Sequence, residues 1–161
     1  MKKSIHEFTI KSIEGKELSF KDFKGRKILL VNVASACGLT PQYQLLQDLY
    51  ESYKDRLVVV GCPANNFAGQ EPGTNEEILE FCTTRFAVQF PLTEKISVLG
   101  DDIHPLYQFV TKKDNNGVAD SEVQWNFQKY LFDEDGFLIC SFSPRTEPTD
   151  EMILSLLETV S

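Results

Sequence analysis

Two stretches of the chain are almost continuously hydrophobic and rich in β-branched residues: KILLVNVAS, residues 27–35, and LVVVGCP, residues 57–63. Runs of this kind, which lack alternating polar positions, are typical of strands buried on both faces of a sheet. KYLFDEDGFLICSFS, residues 129–143, places two hydrophobic segments around a tight Glu-Asp-Gly turn and predicts two antiparallel strands. FTIKSIEGKELSF, residues 8–20, predicts a smaller hairpin around a Glu-Gly turn.

Helical periodicity separates these strands. Residues 40–54 carry leucines and tyrosines at helical spacing, with Thr40 as the expected N-cap and Pro41 in the first turn. TNEEILEFCTTRF, residues 74–86, begins with a capping threonine and has two glutamates in its first turn. Their negative charges interact favourably with the positive end of the helix dipole, so this segment predicts a helix. Further helices are predicted in HPLYQFVTKK, residues 104–113, and TDEMILSLLETV, residues 149–160.

Strands that alternate with helices, followed by a hairpin near the end, predict an α/β fold. We expect a central mixed sheet flanked by helices on both faces, with the proportions of a thioredoxin-like fold. The chain shows no internal repeat, low-complexity tract or long linker, so a single domain over residues 1–161 is predicted.

Composition narrows the functional classes. Sixteen Lys and Arg against 24 Asp and Glu give a formal net charge of −8, which disfavours nucleic acid and offers no polybasic patch for a membrane. In MKKSIHEFTI, residues 1–10, His6 and Glu7 interrupt any apolar continuation, so no secretory signal is predicted. The apolar runs are also short for a membrane span, and we expect a soluble, cytoplasmic protein without stable membrane association.

The cysteine spacing argues against metal binding and against a disulfide framework. None of Cys37, Cys62, Cys82 and Cys140 forms a CxxC pair, and neither of the two histidines lies near a cysteine in sequence. No metal site is therefore predicted.

Cys37 lies where the first buried strand ends and a helix is predicted to begin. Reactive groups of α/β sheets gather at such points, and the unpaired amides of a helix N-terminus favour an anion such as a thiolate. Cysteine is also among the most frequently buried residue types, and most such cysteines are inert. From Cys37 alone, a reactive thiolate and a small core residue are equally good interpretations.

Two further stretches change that balance. PANNFAGQEPGT, residues 63–74, is a polar loop directly after the second buried strand, beside the Cys37 turn if the two strands pair. VQWNFQKYLF, residues 123–132, contains the single tryptophan, Trp125, followed by Asn126. Each stretch alone is explained by a solvated loop, or by a core aromatic residue beside a turn.

Taken together, NVASACGLTPQYQLLQDLY, GCPANNFAGQEPGT and WNFQKYLFDEDG resemble, in order and spacing, the three signature regions of the glutathione peroxidase family. The resemblance extends over essentially the whole chain. It implies a thioredoxin-like fold and thiol-dependent reduction of hydrogen peroxide and organic hydroperoxides. It also implies a catalytic tetrad of Cys37 as the peroxidatic residue with Gln70, Trp125 and Asn126 as its partners.

The chemistry suits these residue types. A thiolate that attacks the O–O bond becomes a sulfenic acid and expels water or an alcohol. Ionisation alone accelerates this reaction little, because a more acidic thiol is also a weaker nucleophile. We therefore expect the neutral donors of Gln70, Trp125 and Asn126 to act mainly on charge that develops on the peroxide oxygens.

The resemblance implies that the sulfenic acid is reduced by a thioredoxin-type partner or by glutathione, each acting as a co-substrate and not as a bound cofactor. Many cysteine-containing relatives have a resolving cysteine in the segment that matches EFCTTRFAVQF, residues 80–90. Cys82 is a possible resolving residue, but it lies one position before the usual one, which matches Thr83. A buried helix residue is an equally good interpretation of Cys82.

Other departures from the family concern the second signature and the partners. Relatives commonly have GFPCNQF where this chain has GCPANNF, so the cysteine has moved to Cys62, a predicted buried strand residue, and Asn66 replaces glutamine. At the next position, Ala68 replaces a glycine of the family. The segment before Trp125 is shorter than the assembly loop of tetrameric relatives, which favours a monomer. Lys129 and Arg145 are isolated candidates for binding glutathione carboxylates, a pattern that favours a thioredoxin-type reductant.

Two alternative functions share parts of this pattern. A thiol redox sensor or relay oxidised at Cys37 would carry every motif and would differ from a peroxidase only in turnover. A thioredoxin-like disulfide reductase is disfavoured, because the CGLT sequence has Thr40 where a CxxC motif requires cysteine.

Overall fold

The computed structural model describes residues 3–158. It contains six strands, five α-helices and two short 3-10 helices in that range. The strands are β1 (Thr9–Lys11), β2 (Glu17–Ser19), β3 (Lys27–Val33), β4 (Leu57–Pro63), β5 (Lys129–Phe132) and β6 (Leu138–Phe142). The α-helices are α1 (Gln42–Ser52), α2 (Asn75–Phe86), α3 (Pro105–Thr111), α4 (Lys113–Asn116) and α5 (Glu151–Glu158), and the 3-10 helices are Ile5–Glu7 and Phe20–Phe23.

The main sheet has four strands in the order β4-β3-β5-β6. β3 and β4 are parallel, while β5 is antiparallel to both β3 and β6, so the sheet is mixed as predicted. Every residue of β3 and β4 is buried, which confirms that the two continuous hydrophobic runs form strands buried on both faces of the sheet, although β4 lies at its edge. The smaller hairpin of β1 and β2 also forms, and Gly15 takes the positive φ of 83° that its turn requires.

Two hydrophobic clusters cover the two faces of the sheet. Leu29, Val31 and Val33 of β3 pack with residues from α1, α2 and α5 on one face. Ile28 and Leu30, which alternate with them, pack on the other face with residues from α3 and from the β1–β2 region. The prediction of helices on both faces is confirmed, while the division into one domain over residues 1–161 stays a prediction.

The predicted helices form, with corrections to their bounds. The helix predicted over residues 104–113 ends at Thr111 and is followed by the separate helix α4. Thr74 caps α2 with a full capping box, in which its hydroxyl accepts from Glu77 N and Glu77 accepts from Thr74 N. α1, in contrast, has Pro41 and not Thr40 at its N-cap position, so it begins one residue later than predicted, at Gln42, and it ends at Ser52. The predicted end of the last helix, residues 159–160, lies outside the described residues. None of the helices within residues 3–158 is long and apolar enough to cross a bilayer.

Thr40 is not the N-cap of α1, because its hydroxyl has other partners. The Thr40 hydroxyl accepts from the Cys37 amide at 2.9 Å and donates to the Ala34 carbonyl at 2.8 Å. Thr40 therefore closes the turn that carries the cysteine, and α1 starts only after that turn is complete.

Candidate active site

The Cys37 side chain lies at the edge of the core, in the turn between β3 and α1. It is 9% exposed, and its sulfur accepts a hydrogen bond from the Leu39 amide at 3.3 Å. An N–H group directed at sulfur is the kind of donor that stabilises a thiolate. The donor expected from the first turn of a helix is therefore supplied by the cysteine turn itself, ahead of α1.

The loop after β4 brings Gln70 to this turn. The Ala36 amide, directly before Cys37, donates to the Gln70 carbonyl at 3.0 Å. Ala68 and Gly69 both have left-handed backbone conformations, with φ values of 56° and 61°, and they turn the loop back toward β3. Because β3 and β4 are parallel neighbours, their carboxyl ends place the two loops side by side, as the sequence predicted.

Asn32, a residue that sequence reasoning did not select, holds the Trp125–Asn126 segment. It is fully buried in β3, donates from Nδ2 to the Trp125 carbonyl at 3.0 Å, and accepts at Oδ1 from the Gln128 amide at 3.1 Å. Its own carbonyl accepts from the Phe127 amide at 2.6 Å, and Phe127 has a φ of 68°. The signal was present in the sequence as one amide side chain inside an otherwise hydrophobic run.

The amides of Gln70 and Asn126 are bonded to each other. Asn126 Nδ2 donates to Gln70 Oε1 at 2.9 Å, and Asn126 is fully buried while Gln70 is half-buried. The bond occupies the carbonyl oxygen of the Gln70 amide and leaves its N–H groups for other acceptors. Asn126 Oδ1 has no hydrogen-bond partner among the described residues.

Cys37 and Trp125 open onto the same cleft, which has a volume of about 620 Å³. Trp125 is 36% exposed, and its ring packs on Phe67 of the Gln70 loop with 5.4 Å between ring centroids. The cleft is lined by three separate segments of the chain: Cys37, Gly38 and Leu39; Gln124 and Trp125; and Ser143, Pro144 and Arg145.

The other three cysteines are placed differently. Burial raises the pKa of the fully buried Cys62 thiol to about 12 and that of the fully buried Cys82 thiol to about 11. Cys140, half-buried opposite Leu131 in the β5–β6 pair, also has its pKa raised by burial. Within residues 3–158, Cys37 is the thiol that lines the cleft.

The two cations considered for glutathione carboxylates differ in access. Arg145 is exposed and lines the cleft, whereas Lys129 is completely buried, with its ammonium group bonded to Gln42, Pro144 and Thr146. The suggestion that Lys129 could bind a ligand carboxylate is therefore wrong. As for metals, the described residues contain no cluster of three or more His, Cys, Asp or Glu side chains that could hold an ion.

The sheet order, the helices on both faces and a cysteine between the first parallel strand and its helix define a thioredoxin-like protein. A thiol:disulfide interchange protein of the thioredoxin family from Chlorobium tepidum superposes with a TM-score of 0.62 over 93% of this chain and 92% of that one. At 16% identity this similarity shows the fold alone. The crystal structure of Trgpx in its apo form is more similar, with a TM-score of 0.74 and 32% identity over 98% of this chain and 97% of that one.

The sequence comparisons identify the family within that fold. The family model described as glutathione peroxidase matches residues 5–111. The glutathione peroxidase homolog BsaA of Halalkalibacterium halodurans is 45% identical over 146 residues, which cover 90% of this chain and 92% of the relative. The chain belongs to the glutathione peroxidase family and is a peroxidase.

Proposed function

We propose that the protein is a thiol peroxidase in which the Cys37 thiolate reduces hydrogen peroxide and organic hydroperoxides. The sulfur attacks the terminal peroxide oxygen, the S–O bond forms and the O–O bond breaks. Sulfur is oxidised to a sulfenic acid, and the departing oxygen takes a proton to leave as water or an alcohol. That proton is the one that the thiol released on ionisation, so the net reaction converts a thiol and a hydroperoxide into a sulfenic acid and water or an alcohol.

The observation that carries this proposal is the joining of three distant segments around one accessible sulfur. The backbone bond from Ala36 to Gln70 and the amide bond from Asn126 to Gln70 link the second and third signature regions to the Cys37 turn. Trp125 shares the cleft with Cys37. A thiolate attack requires a sulfur that the peroxide can reach and donors near the departing oxygen. Cys37 is only 9% exposed but lines the cleft beside Trp125, while Gln70 and Asn126 lie behind the lining residues and are joined to each other.

In this proposal the side chains of Gln70, Trp125 and Asn126 act as neutral donors. Amide and indole N–H groups do not titrate near neutral pH, so they remain donors over the whole working range. Charge appears on the peroxide oxygens only as the O–O bond breaks, so donors held in advance stabilise the transition state more than the bound peroxide.

The sulfenic acid is reduced by a thioredoxin-type protein or by glutathione, and we propose the thioredoxin route as the main one. Glutathione carries two carboxylates, and burial of Lys129 leaves Arg145 as the remaining candidate cation at the cleft. We also propose that the protein works as a cytoplasmic monomer. Size-exclusion chromatography with light scattering tests the oligomeric state, and a dimer or tetramer would contradict it.

Cys82 remains a possible resolving residue, with a structural condition attached. It is fully buried in α2, and the raised pKa of its thiol disfavours the thiolate that disulfide formation needs. In this proposal, α2 opens locally before a Cys37–Cys82 bridge forms, so that the Cys82 thiol leaves the core and can ionise.

The main experiment uses the single tryptophan as a reporter. Because Trp125 lines the same cleft as Cys37, oxidation of the sulfur should change its fluorescence within a stopped-flow mixing experiment. We expect one fast phase whose rate is proportional to peroxide concentration, absent in Cys37→Ser and retained in the control Cys140→Ser. Peroxide reduction by Cys37→Ser at the rate of the unmodified protein would overturn the proposal.

Mass spectrometry after one equivalent of peroxide tests the resolving step. An intramolecular Cys37 bridge that disappears in Cys82→Ser would establish Cys82 as the resolving residue. A stable sulfenic acid at Cys37 in the unmodified protein would instead assign reduction directly to the external thiol.

A further inference from the structure

Lys129 is a fully buried cation at the start of β5. Its Nζ donates to Gln42 Oε1 at 2.6 Å, to the Pro144 carbonyl at 3.0 Å and to the Thr146 carbonyl. All three acceptors are uncharged oxygen atoms. A buried ammonium group is costly unless its N–H groups are bonded, so the position of Lys129 depends on these three partners being in place.

Of the partners of Lys129, Pro144 lines the Cys37 cleft, and Gln42 and Thr146 lie next to two of the segments that line it. Gln42 is the first residue of α1, directly after the cysteine turn. Pro144 and Thr146 lie in the segment Ser143–Glu147, which we call the 143–147 loop, and Gln42 Nε2 adds a second donor to the Pro144 carbonyl at 2.9 Å. The lysine thus connects β5, the start of α1 and the 143–147 loop behind the cleft.

The 143–147 loop lines the cleft but contributes none of the residues proposed to react with the peroxide. Hydrogen peroxide has only two oxygen atoms, and it requires the sulfur of Cys37 and its donors. A cleft of about 620 Å³ is large enough for a far bigger organic molecule, and Leu39, Trp125 and Pro144 give it apolar surface.

We propose that Lys129 is a positioning residue that holds the 143–147 loop as the third wall of the cleft, and thereby determines how well the protein reacts with hydroperoxides carrying a bulky organic group. Reaction with hydrogen peroxide is nearly independent of this wall. The inference rests on the proposed function, since it assumes that Cys37 is the residue oxidised by peroxide.

The protonation state of Lys129 provides a second readout. Burial lowers the pKa of Lys129 to about 7, opposed by the negative charge of Glu147 in the same loop. The groups that face it from neighbouring elements, Gln42 in α1, Val31 in β3 and Phe142 in β6, do not titrate. Above this pKa the amine has two N–H groups and a lone pair opposite three acceptors, so the loop is held less firmly at higher pH.

The experiment measures the second-order rate constant for loss of the Cys37 thiol, by rapid quenching with an alkylating reagent and mass spectrometry. Cumene hydroperoxide is the bulky substrate and hydrogen peroxide the small one, so no reductant is needed. In Lys129→Met we expect the rate constant for cumene hydroperoxide to fall about tenfold, equivalent to about 1.4 kcal/mol, and that for hydrogen peroxide to stay close to the original value.

The matched control is Lys27→Met. Lys27 is also a buried lysine, 4% exposed, but it lies at the far end of β3 and is ion-paired with Glu134 at 2.9 Å. We expect this variant to keep the original ratio of the two rate constants. Should Lys129→Met not fold, Gln42→Leu removes one acceptor of the lysine and one donor to Pro144, and it should shift the ratio in the same direction.

The pH profile separates positioning from simple loss of stability. The ratio of the cumene hydroperoxide to the hydrogen peroxide rate constant cancels the thiolate fraction of Cys37. We expect this ratio to fall between roughly pH 6 and pH 8 in the unmodified protein and to be flat in Lys129→Met.

Equal losses for both peroxides, no loss for either, or the same shift in Lys27→Met would overturn the inference. These outcomes leave the proposed function intact. That function fails on a separate result, namely a Cys37 thiol that hydrogen peroxide does not consume.

Discussion

Two fully buried asparagines in two regions of the molecule do different work. Asn116, at the end of α4, has its side-chain partners within residues 109–119, two to seven positions away in sequence. Asn32, in β3, bonds to Trp125 and Gln128, which are 93 and 96 positions away. The first asparagine closes a local corner between α3 and the segment that follows it, whereas the second fixes the position of the third signature region.

The difference extends to the rest of the site. The Asn126–Gln70 bond spans 56 positions and the Lys129–Gln42 bond spans 87. Polar burial costs free energy in either region unless the groups are bonded. At the Cys37 end of the sheet, the hydrogen bonds of the buried polar side chains also determine which loops meet. Substitutions there should therefore affect peroxide reactivity more than substitutions of equally buried groups elsewhere.

The largest effect is expected for Asn32→Ala compared with Asn116→Ala. Each change leaves buried backbone groups without partners and should lower the free energy of unfolding by about 2–4 kcal/mol. Urea titration should show similar losses for the two variants. Only Asn32→Ala should also slow Cys37 oxidation strongly in the folded protein, and equal rates in the two variants would remove the distinction between the regions.

Gln70→Ala tests the donor role at the site itself. Removing one preorganised donor commonly costs about 10²-fold to 10³-fold in rate. We expect hydrogen peroxide to react with Gln70→Ala more slowly than with the unmodified protein at the same thiolate fraction, measured by titrating thiolate absorbance alongside the rate. Trp125→Phe should behave in the same way, to a smaller extent. Equal reactivity at matched thiolate fraction would assign these residues to ionisation instead.

A pH effect on stability is expected away from the site, at the two histidines. Burial lowers the pKa of both His6 and His104 below 6.5, so the unfolded chain takes up protons first as pH falls. Stability should therefore decrease as pH falls below about 6.5. His6→Gln should flatten this dependence in urea titrations at several pH values, and an unchanged slope would contradict the assignment to His6.

The smallest effect is expected at Ala68. An alanine with a φ of 56° adopts a conformation that glycine takes more readily. We expect Ala68→Gly to stabilise the protein by up to about 1 kcal/mol without changing peroxide reactivity, because the loop already has this shape. Ala87, with a φ of 50° at the end of α2, is the matched position, and Ala87→Gly should give a similar gain in thermal unfolding.

The fold was predictable from local patterns. Continuous hydrophobic runs identified β3 and β4, and capping and periodicity identified α2, because these features depend on neighbouring residues. Thr40 was misassigned because a threonine before a helix can cap it or close the preceding turn, and only the position of Ala34 and Cys37 decides between these roles.

The supporting residues of the site were not predictable in this way. Nothing in the spacing of Asn32 or Lys129 indicates partners that lie 87 to 96 positions away. A basic residue near the third signature region suggested ligand binding, yet Lys129 is enclosed by its own chain. The resemblance to a family supplied the candidate tetrad, and the packing of the sheet supplied the residues behind it.

The bond between Ala36 and Gln70 joins two main-chain atoms. No side-chain replacement at either position can delete it, short of a proline at position 36, which has no amide hydrogen. Mutation can therefore alter the identity of residues in both loops while the two loops keep their registration. Such tolerance gives a lineage room to vary its substrates without rebuilding the framework that presents the sulfur.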